Sequence, residues 1–174
     1  KIISWPTVVV VEFLRDTPLL VQLFFLYYVL PVYGIVLPAF LTGALALGLQ
    51  YSAYTSEVYR GGIEAIPRGQ WEAARALNLT AWRTYKDIVV PQAVPRIIPA
   101  MGNYLVSMLK ETPVLSVVSI VDMLNLANLI GDRTFEYLVP LSMVGLIFLV
   151  LTLICSALIR LLERTLPKNG IALK

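Results

Sequence analysis

From Tyr137 to Ile159 the chain carries no charged residue, and nothing else in it restricts the fold as much. A stretch this long and apolar is sized to cross the hydrocarbon core of a bilayer as a helix. The whole chain agrees with that reading. It is 58% hydrophobic with 14% charged residues and a mean hydropathy of +0.77, where a soluble domain carries about 25% charge. The sequence is therefore read as one integral membrane domain, all α, because backbone in lipid must satisfy its own hydrogen bonds.

Composition also removes several function classes. There is no histidine, which excludes histidine acid–base chemistry and most zinc sites. The single cysteine, Cys155, lies in an apolar run and leaves no disulfide framework. No phosphate-binding GxxxxGK[ST] loop occurs, so ATP hydrolysis by that route is not on this chain. A net charge of +3 is no nucleic-acid signal, because the charges are placed by topology.

Four spans are expected, at about 17–30, 37–59, 94–121 and 137–159, preceded by an interfacial helical lead-in from Lys1 to Asp16. Tyr27, Tyr28 and Tyr33 fall where an aromatic belt belongs, and Trp5, Trp71 and Trp82 read as interfacial anchors. In the second span Ala44, Gly48, Ser52 and Ser56 recur every fourth residue. Small side chains on one face let another backbone approach. This is either a helix-packing seam or the surface along which two subunits slide. Glu57 and Arg60, three apart, can pair on one helix face. In the third span Asn103, Ser107 and Glu111 recur at four, with Lys110 beside them and Thr112-Pro113 breaking the ladder after them. Ionisable residues at that depth should face protein or water. They are either contacts for a solute with both charges or an internal ion pair that fixes packing. Asp122 to Glu136 is expected to form an outer connection with short helices.

Between the second and third spans the chain turns charged and helical, in Glu72–Pro91. Glu72-Ala73-Ala74-Arg75-Ala76-Leu77 has high helix propensity. Asn78 is placed to end that helix in the left-handed conformation. Thr80 is placed to cap a second helix, which Pro91 and Pro95 should end. Glu72 offers a carboxylate to a partner or to its own helix start. The hairpin is either a solvated loop or a small-residue helix shaped for another protein's groove. Lysine and arginine set the orientation. With the hairpin inside, all fourteen basic residues except Lys110 and Arg133 lie on the inner side, as the positive-inside rule requires. The lead-in, the hairpin and the polar tail around Lys168 then face the cytoplasm.

Glu72-Ala73-Ala74, then a break, then Ile88-Val89-Val90-Pro91 resembles the EAA loop of permease subunits in binding-protein-dependent ABC importers. Tyr54 to Ile63, Gly69-Gln70, Pro91-Gln92-Ala93, Arg15 to Gln22 and Lys110 to Pro113 resemble the polar amino-acid uptake branch, and in detail the ectoine and hydroxyectoine permeases. Two departures stand out: Asn78 where the family usually has Gly, and Lys110-Glu111-Thr112-Pro113 where many members read Lys-Asp-Thr-Ser. The resemblance implies a type I permease bundle in the bacterial inner membrane, with a further membrane helix ahead of Lys1. It implies docking of a cytoplasmic ATP-binding subunit through Glu72, Ala73, Ala74, Asn78 and Pro91 in a coupling loop of about 60–93. It implies a second permease subunit, identical or paralogous, and an outer solute-binding protein. ATP and magnesium would sit on the ATPase, with no cofactor on this chain, which would perform no covalent chemistry. A second expectation is an ion-coupled secondary transporter with Lys110 and Glu111 as relay, for which an inverted repeat should be visible and is not. A membrane enzyme is the third, and it lacks a nucleophile constellation.

Overall fold

A computed structural model describes residues 4–165; Lys168 and the rest of the polar tail lie outside the described residues. Every regular element among them is helical. They are α1 (Ser4–Asp16), α2 (Leu19–Phe24), α3 (Ala39–Glu64), α4 (Arg68–Ala76), α5 (Ala81–Arg83), α6 (Val90–Glu111), α7 (Met123–Thr134) and α8 (Leu138–Thr165). Two π-helical stretches, Phe25–Val29 and Thr84–Val89, and two 3-10 stretches, Leu30–Tyr33 and Thr112–Val118, join them. Among the described residues one helix, α8, is by itself long and apolar enough to cross a membrane. The run Ala81–Val118 qualifies only together with Met123–Thr134, from which it bends by 49°, and Leu19–Tyr33 is apolar but shorter. The 26-residue α3 is diluted by Gln50, Glu57, Arg60 and Glu64.

The chain divides into two compact units, the described parts of Lys1–Tyr54 with Val106–Cys155 and of Thr55–Leu105 with Ser156–Lys174. In the first, the expected lead-in is a helix of its own. It stops at Asp16, and Pro18 stands just before α2 rather than within its first turn. The break would leave carbonyls without donors. Gln22 supplies them: its side chain is buried, and its amide donates to Leu14 O at 2.8 Å and Thr17 O at 3.1 Å. The polar residue inside an apolar helix is thus a bracket across a chain break, where it satisfies backbone that lipid cannot. Tyr28 donates to Val117 O at 3.3 Å, so its hydroxyl ties the π stretch to the 3-10 segment. Gly43 lets α3 lie close to Leu115 and Ile120, where a Cβ would stand 3.0–3.1 Å from their side chains. Asp122 caps α7, accepting from Asn125 N at 2.7 Å, and Phe135 ends it in the left-handed region at φ 55°.

In the second unit, Ile66, Val89, Ala93 and Ile97 form the buried centre, with Val58, Ile63, Trp71 and Met101 against it. Trp71, expected as an interfacial anchor, instead belongs to this cluster and meets Tyr85 edge-on with centroids 5.4 Å apart. Trp82 remains exposed. Pro91 and Pro95 do not end a helix as expected. The chain stays helical from Ala81 through Glu111, with Pro95 and Pro99 inside α6. Each proline removes one ladder donor. The widened turn at Thr84–Val89 lies immediately ahead of Pro91, where a tighter ladder would meet its ring. The expected break at Thr112-Pro113 does occur: α6 gives way to 3-10 geometry, ended by Ser119 at φ 64°.

Two adjacent glycines of α3 provide a controlled test. A Cβ at Gly61 meets nothing, whereas one at Gly62 collides with Ile97. Gly61→Ala should stabilise by up to about 1 kcal/mol through helix propensity. Gly62→Ala should lose about 1–3 kcal/mol through overpacking. Thermal melting of the detergent-purified protein should show shifts of opposite sign.

Candidate functional site: the charged helical hairpin

The hairpin is mounted on the end of α3. Arg60 there forks between Glu57 at 2.5 Å and Glu64 at 2.7 Å. The pairing with Glu57 follows from the three-residue spacing; Glu64, four residues on from Arg60, is a second partner. Hydrogen bonds that Arg60 donates, to Glu57 first and Glu64 second, raise its pKa above the ordinary value. After Glu64 the chain turns at Ala65–Pro67, burying Ile66, and α4 starts at Arg68. Glu72 is therefore at mid-helix and cannot cap the helix start, as the sequence had allowed. Glu72, Ala73 and Ala76 are exposed. Ala74 faces inward at 1% exposure, so it serves the mount and not the outer face. Leu77, 72% exposed, and Trp82, 74% exposed, add apolar surface beside that face. Neither was singled out as a contact in the sequence; an apolar residue next to a helix stop in a charged segment was the available signal.

The turn after α4 is closed as the sequence predicts. Asn78 adopts φ 55°. Its N–H donates to Arg75 O at 3.0 Å, and Leu79 N donates to Ala74 O at 3.1 Å. This paired arrangement satisfies the last carbonyls of a helix, and asparagine is the residue after glycine best suited to it. Thr80 caps the next helix, its hydroxyl accepting from Arg83 N at 3.4 Å, and Thr84 Oγ1 donates back to Thr80 O at 3.0 Å. Pro91 is exposed at the foot of α6.

The polar line on α6 is divided between the units. Asn103, exposed, belongs to the second unit; Ser107, Lys110 and Glu111 belong to the first. Lys110 is exposed, and Glu111 is half-buried with its Oε2 enclosed and lacking a hydrogen-bond partner among the described residues. No ion pair joins Lys110 to Glu111 among the described residues. An enclosed carboxylate oxygen without a donor is costly unless something supplies one. The small-residue face Ala44, Gly48, Ser52 and Ser56 is exposed along α3. Within the chain α3 packs instead through Thr42, Gly43, Ala46, Leu47, Gln50 and Ala53.

An all-helical membrane domain presenting a rigid charged helix between spans is the build of a transport permease. Residues 1–168 match the family model described as the inner membrane component of binding-protein-dependent transport systems, and the chain belongs to that family. It is the membrane subunit of an ATP-driven importer, of the type I permease fold. Among its relatives is a probable amino-acid ABC transporter permease of Sinorhizobium fredii, y4tG. That protein is 64% identical over 172 residues, covering 99% of this chain and 74% of the relative. The arginine transport permease ArtQ of Bacillus subtilis is 40% identical, covering 89% of this chain and 71% of its own. A putative glutamine transport permease of Rickettsia conorii, GlnP, is 36% identical, covering 89% and 72%. The crystal structure of an amino acid ABC transporter with histidines superposes with a TM-score of 0.86 at 40% identity, covering 90% of this chain and 73% of the other. Membership implies an inner-membrane setting and work alongside an ATPase and a binding protein.

Asn78→Gly should leave stability within a few tenths of a kcal/mol, whereas Asn78→Val should cost about 1–2 kcal/mol, because a β-branched residue resists the left-handed region. The two melting temperatures of the purified protein should separate accordingly.

Proposed function

We propose that α4 is the coupling helix through which a cytoplasmic ATP-binding subunit, holding ATP and magnesium, drives alternating access for a polar amino acid. The observation that carries this reading is the combination on α4 of a fixed inner face and an open outer one. Ala74 and Trp71 anchor it, while Glu72, Ala73, Ala76 and Leu77 stay uncovered. Small side chains let a partner backbone come close, and the neighbouring carboxylate and apolar residues give that contact charge and burial. Asn78 and Pro91 shape the hairpin rather than touch the partner. The orientation is that of the positive-inside reading, with the hairpin and the carboxyl end cytoplasmic.

The substrate class rests on the relatives, whose names are those of amino-acid, arginine and glutamine permeases; none of the relatives just described names ectoine. Every amino-acid zwitterion carries an ammonium group. The enclosed Glu111 oxygen lacks the donor that such a group supplies. Asn103, Ser107 and Lys110 complete the proposed pathway on α6. The uncovered Ala44–Ser56 face is the surface for the second permease subunit, since this chain leaves it open, and the exposed apolar side chains of α8 face lipid. Closure of the ATPase dimer must bias the bundle by about 5.5 kcal/mol to move it from 1:99 to 99:1.

Reconstitution of the full-length permease with its ATPase and binding protein in liposomes tests the reading. Uptake of a polar amino acid should require ATP, and uptake driven by an ion gradient alone would overturn it. Ala73→Trp and Glu72→Lys should leave the permease inserted and cut co-purification of the ATPase at least several-fold; undiminished capture by both would refute the docking face. Glu111→Gln should lower uptake by an order of magnitude with expression unchanged. Equal losses in uptake and expression would assign Glu111 to packing instead.

A further inference from the structure

Beside the apolar anchors Ala74 and Trp71, two side chains of α6 make polar ties to α4 and to the corner before it. Arg96 Nη1 donates to the backbone carbonyl of Ala65, in the corner between α3 and α4. One turn earlier, Gln92 Nε2 donates to Ile88 O at 2.9 Å and to Gln70 Oε1, on α4, at 3.3 Å. Beneath them Ile97 lies against Gly62, which has no side chain to keep α3 and α6 apart. Ile66 and Val89 fill the space between.

The charge at Arg96 has its own reason to be there. The last turn of α3 contains no basic residue and ends on Glu64. The carboxyl end of a helix carries partial negative charge on its unpaired carbonyls and favours a nearby cation. Arg60, a turn inside, is engaged by Glu57 and Glu64. The cation at the corner itself is supplied by a side chain 31 residues away in sequence. The corner's own ties are local, Ala65 N donating to Gly61 O at 3.0 Å and Ile66 N to Ile63 O at 3.2 Å, and neither reaches α6. Bound to Arg96, the corner becomes part of the foot of α6.

We infer that Arg96 is a positioning residue for coupling, which with Gln92 locks the Ala65–Pro67 corner so that displacement of α4 is passed to α6 and not absorbed in the loop. This rests on the reading of α4 as the docking helix. Arg96 touches neither the ATPase face nor the solute; its action is through the corner carbonyl.

The test uses the full-length permease with its ATPase and binding protein in liposomes, and reads solute molecules taken up per ATP hydrolysed. Arg96→Met keeps the length and apolar stem of the side chain and removes the donor. It should capture the ATPase as wild type does and lower the uptake-to-hydrolysis ratio at least threefold. Arg96→Lys, which can still donate to one carbonyl, should recover at least half of that loss. Gln92→Met should lower the ratio in the same direction by a smaller factor, and it carries the test if Arg96→Met does not accumulate. An unchanged ratio in a complex that captures the ATPase normally would overturn the inference. So would a proportional fall of capture, hydrolysis and uptake together, which would make Arg96 a residue of the fold alone. Failure of the docking reading shows elsewhere, as undiminished ATPase capture by Ala73→Trp in a binding measurement that does not depend on Arg96.

Discussion

Backbone that leaves water must find its hydrogen-bond partners within the protein, and that requirement governs this chain at every irregular point. The bilayer supplies no donor or acceptor, so each break in a helix needs a local substitute. Gln22 serves the gap between α1 and α2. Thr112 Oγ1 and Ser116 Oγ donate to Leu109 O and Pro113 O where α6 yields to 3-10 geometry. Outside the spans, Gln92 and Arg96 also serve carbonyls, those of Ile88 and Ala65. The few polar side chains of an apolar sequence are therefore concentrated where the ladder fails. Three enclosed oxygens, Gln50 Oε1, Glu111 Oε2 and Asp122 Oδ2, find no donor among the described residues.

Local chemistry was readable from sequence wherever one or two neighbouring residues decide the outcome. Asn78 ending α4, Thr80 capping the next helix, Pro113 breaking α6 and Glu57 pairing with Arg60 all depend on interactions within a turn or so, and all are found. The family resemblance rested on equally local motifs and agrees with the family found by comparison. What the sequence did not disclose depends on packing at long range. Ala73 and Ala74 are indistinguishable as residue types, yet one is outside and the other is buried. Trp71, an anchor by residue type, packs half-buried against the core cluster. The tie from Arg96 to Ala65 spans 31 residues and leaves no periodic trace.

Pro91 and Pro95 show why a strong local rule can mislead. Proline discourages helix because it deletes a donor and crowds the preceding turn. Here the crowding is met by widening that turn into π geometry, and the helix goes on to Glu111. A chain leaving helical geometry would free several backbone groups instead of one per proline. The local penalty is real, and it is met without ending the helix.

The spacing of those prolines has a mechanical meaning. Pro91, Pro95 and Pro99 recur at four, so the donors they delete fall about one per turn along a single ridge. A helix missing struts on one side has a soft direction, as prolines are the commonest source of sharp bends. The first half of α6 is thus an anisotropic spring, compliant in one plane and firm in the others, whereas α8 with one proline near its outset is a plain rod. The plane in which that half of α6 yields most readily is set by arithmetic in the sequence.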